Sequence, residues 1–146
     1  AIKVLSLFDG LSGGQLALRG LGITPTRYYA SEIDPFAVEV TQTNFPDTVQ
    51  LGDVVKFAGI CAQRRATAKK EMPALLHIQD TPTDWQGGGD SFGGIDLVMG
   101  GSPYQGFSSA GKGMNFNDPR SKLFFEFVHI LNAIKRVNPN VIFLLE

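Results

Sequence analysis

The amino-acid sequence predicts an α/β fold, a mostly parallel sheet with helices on both faces. Residues 2–8 are a β-branched, apolar run with one lysine near its start, followed by a glycine-rich turn and a helical pattern. Residues 27–44 repeat that succession of strand, turn and helix. Two further short apolar runs, at residues 95–99 and 141–145, enclose a long amphipathic segment. Short apolar strands alternating with helical segments are the pattern of βαβ units, whose strands are buried on both faces and so lack strict polar alternation.

The length of 146 residues suits one domain with a hydrophobic core, and a hydrophobic fraction of 43% is ordinary for a globular protein. The net charge is −1, from 13 basic and 14 acidic residues. Bulk charge therefore announces no nucleic-acid binding, although it leaves room for a local basic patch. The single cysteine, Cys61, excludes an internal disulfide framework and suits a reducing compartment, so the expected location is cytoplasmic. Only His77 and His129 are present, without metal-ligand spacing around Cys61, and a zinc site is not expected. No apolar run reaches the ~18 residues of a transmembrane helix, and residues 1–5 lead straight into a strand, so neither a membrane partner nor a signal peptide is expected.

In order, residues 2–8 form a central strand. Asp9-Gly10-Leu11-Ser12-Gly13-Gly14 breaks it, and residues 15–20 return to helical spacing, with Leu16 and Leu18 near Leu21 on the helix side. Gly20 and Gly22 bracket the helix end. A tight glycine loop at a helix start lets backbone N–H groups approach a ligand closely. The spacing is not the dinucleotide pattern GxGxxG, and a plain strand-to-helix turn is the alternative.

Residues 27–31 are the second strand, ending in Glu32-Ile33-Asp34-Pro35. An acidic residue ~20 positions past the glycine loop sits where such folds bind ribose hydroxyls, and a carboxylate accepts two hydrogen bonds from a vicinal diol. Asp34-Pro35 is a good N-cap and N1 pair, so Glu32 can hold ribose while Asp34 caps a helix over residues 35–44. Residues 49–54 follow as a third strand. In it, Asp53 is either an acceptor for the exocyclic amine of a purine or a turn residue.

Residues 55–94 are expected as a variable, flexible insertion. Arg64, Arg65, Lys69 and Lys70 read as a solvated helix face, with phosphate contact as the alternative. Residues 86–94 are a surface loop by composition. His77 and Trp85 lie in this region without partners that the sequence names.

Residues 95–99 form a strand that empties into Gly100-Gly101-Ser102-Pro103-Tyr104-Gln105-Gly106-Phe107-Ser108. Open α/β sheets bind ligands at the carboxyl ends of their strands. Pro103 stiffens the turn by fixing its own φ and extending Ser102. A nucleophile would fit position 104, which holds a tyrosine instead. Residues 112–117 are expected as a mobile loop and Asp118-Pro119 as a capping pair. Residues 123–135 are an amphipathic helix, apolar at Leu123, Phe124, Phe127, Ile130, Leu131 and Ile134. His129 on this helix is expected to be structural. Asn138-Pro139 stops the helix, and residues 141–145 form a last buried strand that delivers Glu146 to the functional edge.

Phe8-Asp9-Gly10-Leu11-Ser12-Gly13-Gly14, Ser31-Glu32-Ile33-Asp34-Pro35, Gly52-Asp53, the turn from Gly101 to Ser108, Asp118-Pro119-Arg120-Ser121-Lys122-Leu123-Phe124-Phe125 and Leu144-Leu145-Glu146 occur in this order. Each is weak alone. As an ordered set, covering nearly the whole chain outside residues 55–94, it closely resembles the amino-terminal half of DNA (cytosine-5)-methyltransferases of bacteria and their phages. The resemblance implies a Rossmann-like, S-adenosylmethionine-dependent methyltransferase fold. By it, Phe8, Asp9, Gly10, Leu11, Ser12 and Gly13 line the cofactor, Glu32 holds its ribose, Ile33 packs on the adenine and Asp53, with Val54 beside it, binds the adenine amine. Pro103 and Leu123 border the same pocket. In the family a cysteine thiolate adds to C6 of a cytosine swung out of double-stranded DNA, and a glutamate, matched here by Glu146, hydrogen-bonds the ring N3.

Two departures stand against this pattern. Where the family has Pro-Cys, this chain has Pro103-Tyr104. A phenol has a pKa of ~10 and a delocalised oxyanion, so covalent addition to C6 is not expected, and Cys61 lies outside every matched motif. The family's target-recognition region and later motifs are also absent, so the chain is expected to be a partial, truncated catalytic domain over residues 1–146. DNA contact is then expected through the missing carboxyl half and the loop over residues 105–117, with a second polypeptide as one source of the later motifs. The setting implied is a bacterial or phage-infected cell.

Overall fold

The structure is a computed structural model, and it describes residues 1–57, 94–101 and 119–146. The elements run β1 (Lys3–Leu7), α1 (Gly13–Gly20), β2 (Arg27–Ser31), α2 (Pro35–Asn44), β3 (Val49–Gln50), β4 (Leu97–Gly100), α3 (Pro119–Val137) and β5 (Ile142–Leu145). Local signals set the helix ends. Asp34 Oδ1 accepts the Phe36 N–H at 3.0 Å with Pro35 in the first turn, so α2 starts where the capping pair requires. Gly22 adopts a φ of 73°, and the Gly22 and Ile23 amides donate back to the Arg19 and Leu18 carbonyls, closing α1 with a Schellman turn.

The five strands pair in parallel in the order β3-β2-β1-β4-β5. The chain winds outward from β1 through β2 to β3, then returns to the other side of β1 as β4 and β5. The crevice of such a sheet lies at that reversal, outside the carboxyl ends of β1 and β4. Leu7 pairs with Ser31 on one side and with Gly100 on the other, and Gly100 pairs with Leu145. The next residues, Phe8, Glu32, Gly101 and Glu146, therefore leave the sheet in one row.

Strand alternation divides the core into two layers. Leu5, Leu7, Tyr29 and Val98 pack with Phe127, Ile130 and Ile134 of α3, whereas Val4, Tyr28, Ala30 and Met99 pack with Leu18 of α1. Helices thus cover both faces. Two polar residues fasten the β4 side. Asp96 Oδ2 accepts the Lys3 amide at 2.9 Å, and Asn138 Nδ2 donates to the Ile95 carbonyl at 2.9 Å.

Four expectations are corrected. The third strand stops at Gln50, because Gly52 turns at a φ of 73° and Asp53 caps a helical stretch over residues 54–57. Leu16 and Leu21 are exposed, since a residue two positions from Leu18 lies about 200° round the helix and Leu21 is already past its end. His129 is an exposed surface residue with Nδ1 3.9 Å from Glu126 Oε2. The last strand is not buried. Ile142, Phe143 and Leu144 are 68%, 52% and 61% exposed, because β5 is the edge strand among the described residues and neither core layer takes in their side chains.

Candidate functional site

The glycine loop leaves β1 by an unusual backbone path. Phe8, Gly10 and Ser12 all have positive φ, of 57°, 56° and 60°. Such a conformation costs a residue other than glycine about 1–2 kcal/mol. Hydrogen bonds hold the path: the Asp9 amide donates to the Ser31 carbonyl at 3.1 Å, and the Ser12 amide to the Asp9 carbonyl at 3.0 Å. The Asp9 side chain points inward, where its carboxylate accepts the Tyr28 hydroxyl at 2.8 Å and the Ser12 hydroxyl. Gln15 Nε2 donates to Ser12 Oγ at 3.2 Å and to Thr48 Oγ1 at 2.7 Å. Ser12 is fully buried and gives α1 no side-chain cap. The first-turn amides of α1 consequently lack that partner, which is the condition under which a helix start accepts an anion.

Glu32 joins this loop to β2. Its Oε2 accepts the Gly10 amide at 2.8 Å, and its Oε1 accepts the amides of Ile33 and Asp34 at 2.8 and 2.9 Å. A carboxylate offers about four acceptor directions, so three are in use and one remains on Oε2. Leu11 and Ile33, each one residue from this bond, are 62% and 75% exposed. An exposed apolar pair beside a carboxylate suits a ligand with a flat ring and a hydroxylated sugar.

The remaining sequence-derived candidates fall into distinct places. Phe8 is half-buried against the α3 layer, and Gly13 is exposed at the start of α1. Asp53 lies just beyond β3, where one oxygen caps the helical stretch by accepting the Val55 amide at 2.8 Å and the other takes no hydrogen bond from the described residues. Val54 is 5% exposed and packs in the core with Phe57. Leu123 is half-buried against the same core. Glu146 has an exposed side chain, and its amide donates to the Gly100 carbonyl at 3.0 Å, which sets it beside Gly101. Pro103, Tyr104, the loop over residues 105–117, the basic stretch over residues 63–70, Cys61, His77 and Trp85 lie outside the described residues. Sequence reasoning missed Tyr28, Gln15 and Thr48. The signal for Tyr28 was the pair Tyr28-Tyr29, in which alternation sends one ring to each face of the sheet.

Among the described residues, no cluster of histidine, cysteine, aspartate and glutamate could hold a metal ion, and no helix is long and apolar enough to cross a membrane. A family model for C-5 cytosine-specific DNA methylases matches residues 2–146. The chain belongs to this family. It is 32% identical over 138 residues to the type II methyltransferase M.NlaIV of Neisseria lactamica, which covers 92% of this chain and 26% of that protein. It is likewise 32% identical over 132 residues to the orphan methyltransferase M.SPRI of Bacillus phage SPR, covering 89% of this chain and 23% of that one. The cytosine methylase chain thus spans about a quarter of the length of these curated relatives. A solved structure of a Spodoptera frugiperda DNMT2 variant shares its fold, with a TM-score of 0.51 at 24% identity over 97% of this chain and 34% of that one. The five-stranded parallel sheet with helices is accordingly the Rossmann-like fold of S-adenosylmethionine-dependent methyltransferases.

Proposed function

We propose that this chain is the cofactor-binding part of a DNA cytosine-5 methyltransferase whose methyl transfer is blocked by Tyr104. The observation that carries the reading is the common edge. The glycine loop, Glu32 and Glu146 follow β1, β2 and β5, and the strand register lines them up in one row with Gly101, three positions before Tyr104 in sequence. The described residues also fit S-adenosylmethionine. Glu32 keeps one acceptor direction for a ribose hydroxyl, Ile33 offers an exposed apolar side chain for the adenine, and Asp53 keeps one carboxylate oxygen for its amine. The first-turn amides of α1 suit the carboxylate of the methionine moiety. When bound, S-adenosylmethionine supplies an electrophilic methyl group.

On the DNA side, the target cytosine must leave the duplex for its C5 and C6 to be reached. Glu146 and N3 then share a proton in a hydrogen bond, which neutralises the charge that builds on N3 as C6 is attacked. The attack itself belongs to position 104. A cysteine thiolate forms readily near neutral pH, adds to C6 and makes C5 nucleophilic; after methylation the C5 proton is lost and the thiolate is released. A tyrosine carries a phenol of ordinary pKa ~10 and is longer than cysteine by several atoms, so no addition to C6 is expected from position 104.

A second reading, a non-catalytic cofactor-binding or regulatory subunit paired with an active methyltransferase, is favoured by Tyr104 and by the open β5. Covering Ile142, Phe143 and Leu144 is worth about 1.5–3 kcal/mol for each fully buried side chain. This supports a partner segment on that edge, either continuing from this chain or carried by a second polypeptide, and double-stranded DNA is engaged through that segment and the loop over residues 105–117. With DNA of a bacterium or an infecting phage as substrate, the place of action is the cytoplasm. Calorimetric titration of the 146-residue chain with S-adenosylmethionine tests the common basis of both readings. Micromolar binding is expected, and a folded chain that binds none rejects a complete cofactor site within these residues.

A further inference from the structure

We infer that Tyr28 is a positioning residue for the glycine loop: its buried hydroxyl, acting through the Asp9 carboxylate, sets where the Gly10 amide and the start of α1 stand relative to Glu32. The inference rests on the cofactor role proposed for that loop. Tyr28 lies level with Val4 in the sheet and is 4% exposed. From there its hydroxyl reaches Asp9 Oδ1 at 2.8 Å, at the carboxyl edge. Asp9 Oδ2 takes the hydroxyl of Ser12, the residue before α1. One carboxylate thus ties the core of the sheet to both ends of the loop. Gly10 stands between those ends, and its amide donates to Glu32.

Packing and protonation agree with this role. A Cβ at Gly14 would lie 3.0 Å from the Tyr28 hydroxyl and 2.6 Å from Met99 Cε, so the ring fills the space beneath the first turn of α1. Glycine at 14 leaves room for this contact. Burial first, and the Asp9 charge second, push the Tyr28 phenol far above its ordinary pKa, so it stays a neutral donor. Phe8 and Ser12 hold left-handed backbone without being glycine, and the Tyr28–Asp9–Ser12 linkage is what anchors that path to the core.

The test is residue-resolved amide hydrogen exchange by NMR on the 146-residue chain, comparing wild type with Tyr28→Phe, beside titration with S-adenosylmethionine. The variant keeps the ring and removes only the hydroxyl. Exchange at Gly10 and Ser12 is expected to quicken roughly tenfold, the scale of one lost hydrogen bond to a charged group, while Leu5 and Val98 in the core keep their rates. The dissociation constant for the cofactor rises by a similar factor. Asp9→Ala gives the same signature, and adding Tyr28→Phe to it changes nothing further, because the two residues act as one unit. Unchanged exchange at Gly10, or an increase matched at Leu5 and Val98, overturns the inference by reducing Tyr28 to a core filler. A wild-type chain that binds no cofactor removes the proposed function instead, and the exchange at Gly10 still decides the role of Tyr28.

Discussion

The Gly10 amide donates to Glu32 Oε2 across 2.8 Å, so the loop after β1 and the end of β2 are one unit before any ligand arrives. Glu32→Ala removes the acceptor of three backbone amides as well as the ribose contact proposed for it. Affinity for S-adenosylmethionine is expected to fall by roughly 1–3 kcal/mol, read by calorimetric titration. Glu32→Gln keeps an acceptor oxygen and is expected to lose less. An alanine variant that binds as wild type does would dissociate Glu32 from the ribose.

Gly100 and Phe127 meet where β4 passes under α3. A Cβ at position 100 would lie 2.5 Å from Phe127 Cε2 and 2.7 Å from Cδ2. Gly100→Ala is therefore expected to lower stability by about 1–3 kcal/mol through overpacking, measured by urea denaturation. Combining it with Phe127→Leu, which vacates the clash, should cost less than the two changes added together.

Asn138 closes the far end of the same layer. Its Nδ2 donates to the carbonyl of fully buried Ile95, and its Oδ1 accepts the Asn140 amide at 3.1 Å. Asn138→Ala leaves the Ile95 carbonyl without that donor, and a loss of about 1–3 kcal/mol is expected in the same assay. A change within a few tenths would mean that water replaces the side chain there.

Alkaline pH should weaken the fold through Tyr28. Its folded pKa is raised above the ordinary value of 10.0, so the neutral phenol is favoured in the native state. That stability is fully present below pH 10 and is lost as the pH climbs above it, by up to about 1.4 kcal/mol per pH unit for one proton. Denaturation midpoints followed above pH 10 should fall more steeply in wild type than in Tyr28→Phe. Parallel curves would contradict the assignment.

Tyr104→Cys addresses the chemistry. With the remaining methyltransferase segment supplied, in the same chain or as a second polypeptide, the reverted protein is expected to methylate C5 of cytosine in DNA where the tyrosine protein does not. Methyl incorporation from labelled cofactor reads this directly. A folded, cofactor-binding revertant that stays inactive would favour the non-catalytic subunit.

Much of the fold was legible from local signals. The second strand and the helix after it fall at Arg27–Ser31 and Pro35–Asn44 as expected, because a capping pair and a β-branched or aromatic run act within a few residues. The place of Glu32 at the end of β2 was legible from its spacing to the glycine loop, whereas its bond to the Gly10 amide was not. The end of the third strand was not legible, since the turn at Gly52 and Asp53 converts an apparent strand end into a helical stretch whose first side chain, Val54, faces the core.

The sequence alone determined the succession of elements, the positions of the glycine loop and Glu32, and the family pattern with its tyrosine at position 104. These rest on neighbouring residues and on motif order along the chain. Tertiary structure decided the strand order β3-β2-β1-β4-β5 and the register that lines up Phe8, Glu32, Gly101 and Glu146. It also decided the exposure of β5, the occupancy of three of the four acceptor directions on Glu32, and the reach of Tyr28 across 19 positions to Asp9. Each of these is a relation between residues far apart in the chain, where side-chain length and packing choose the partner and local pattern carries no information about it.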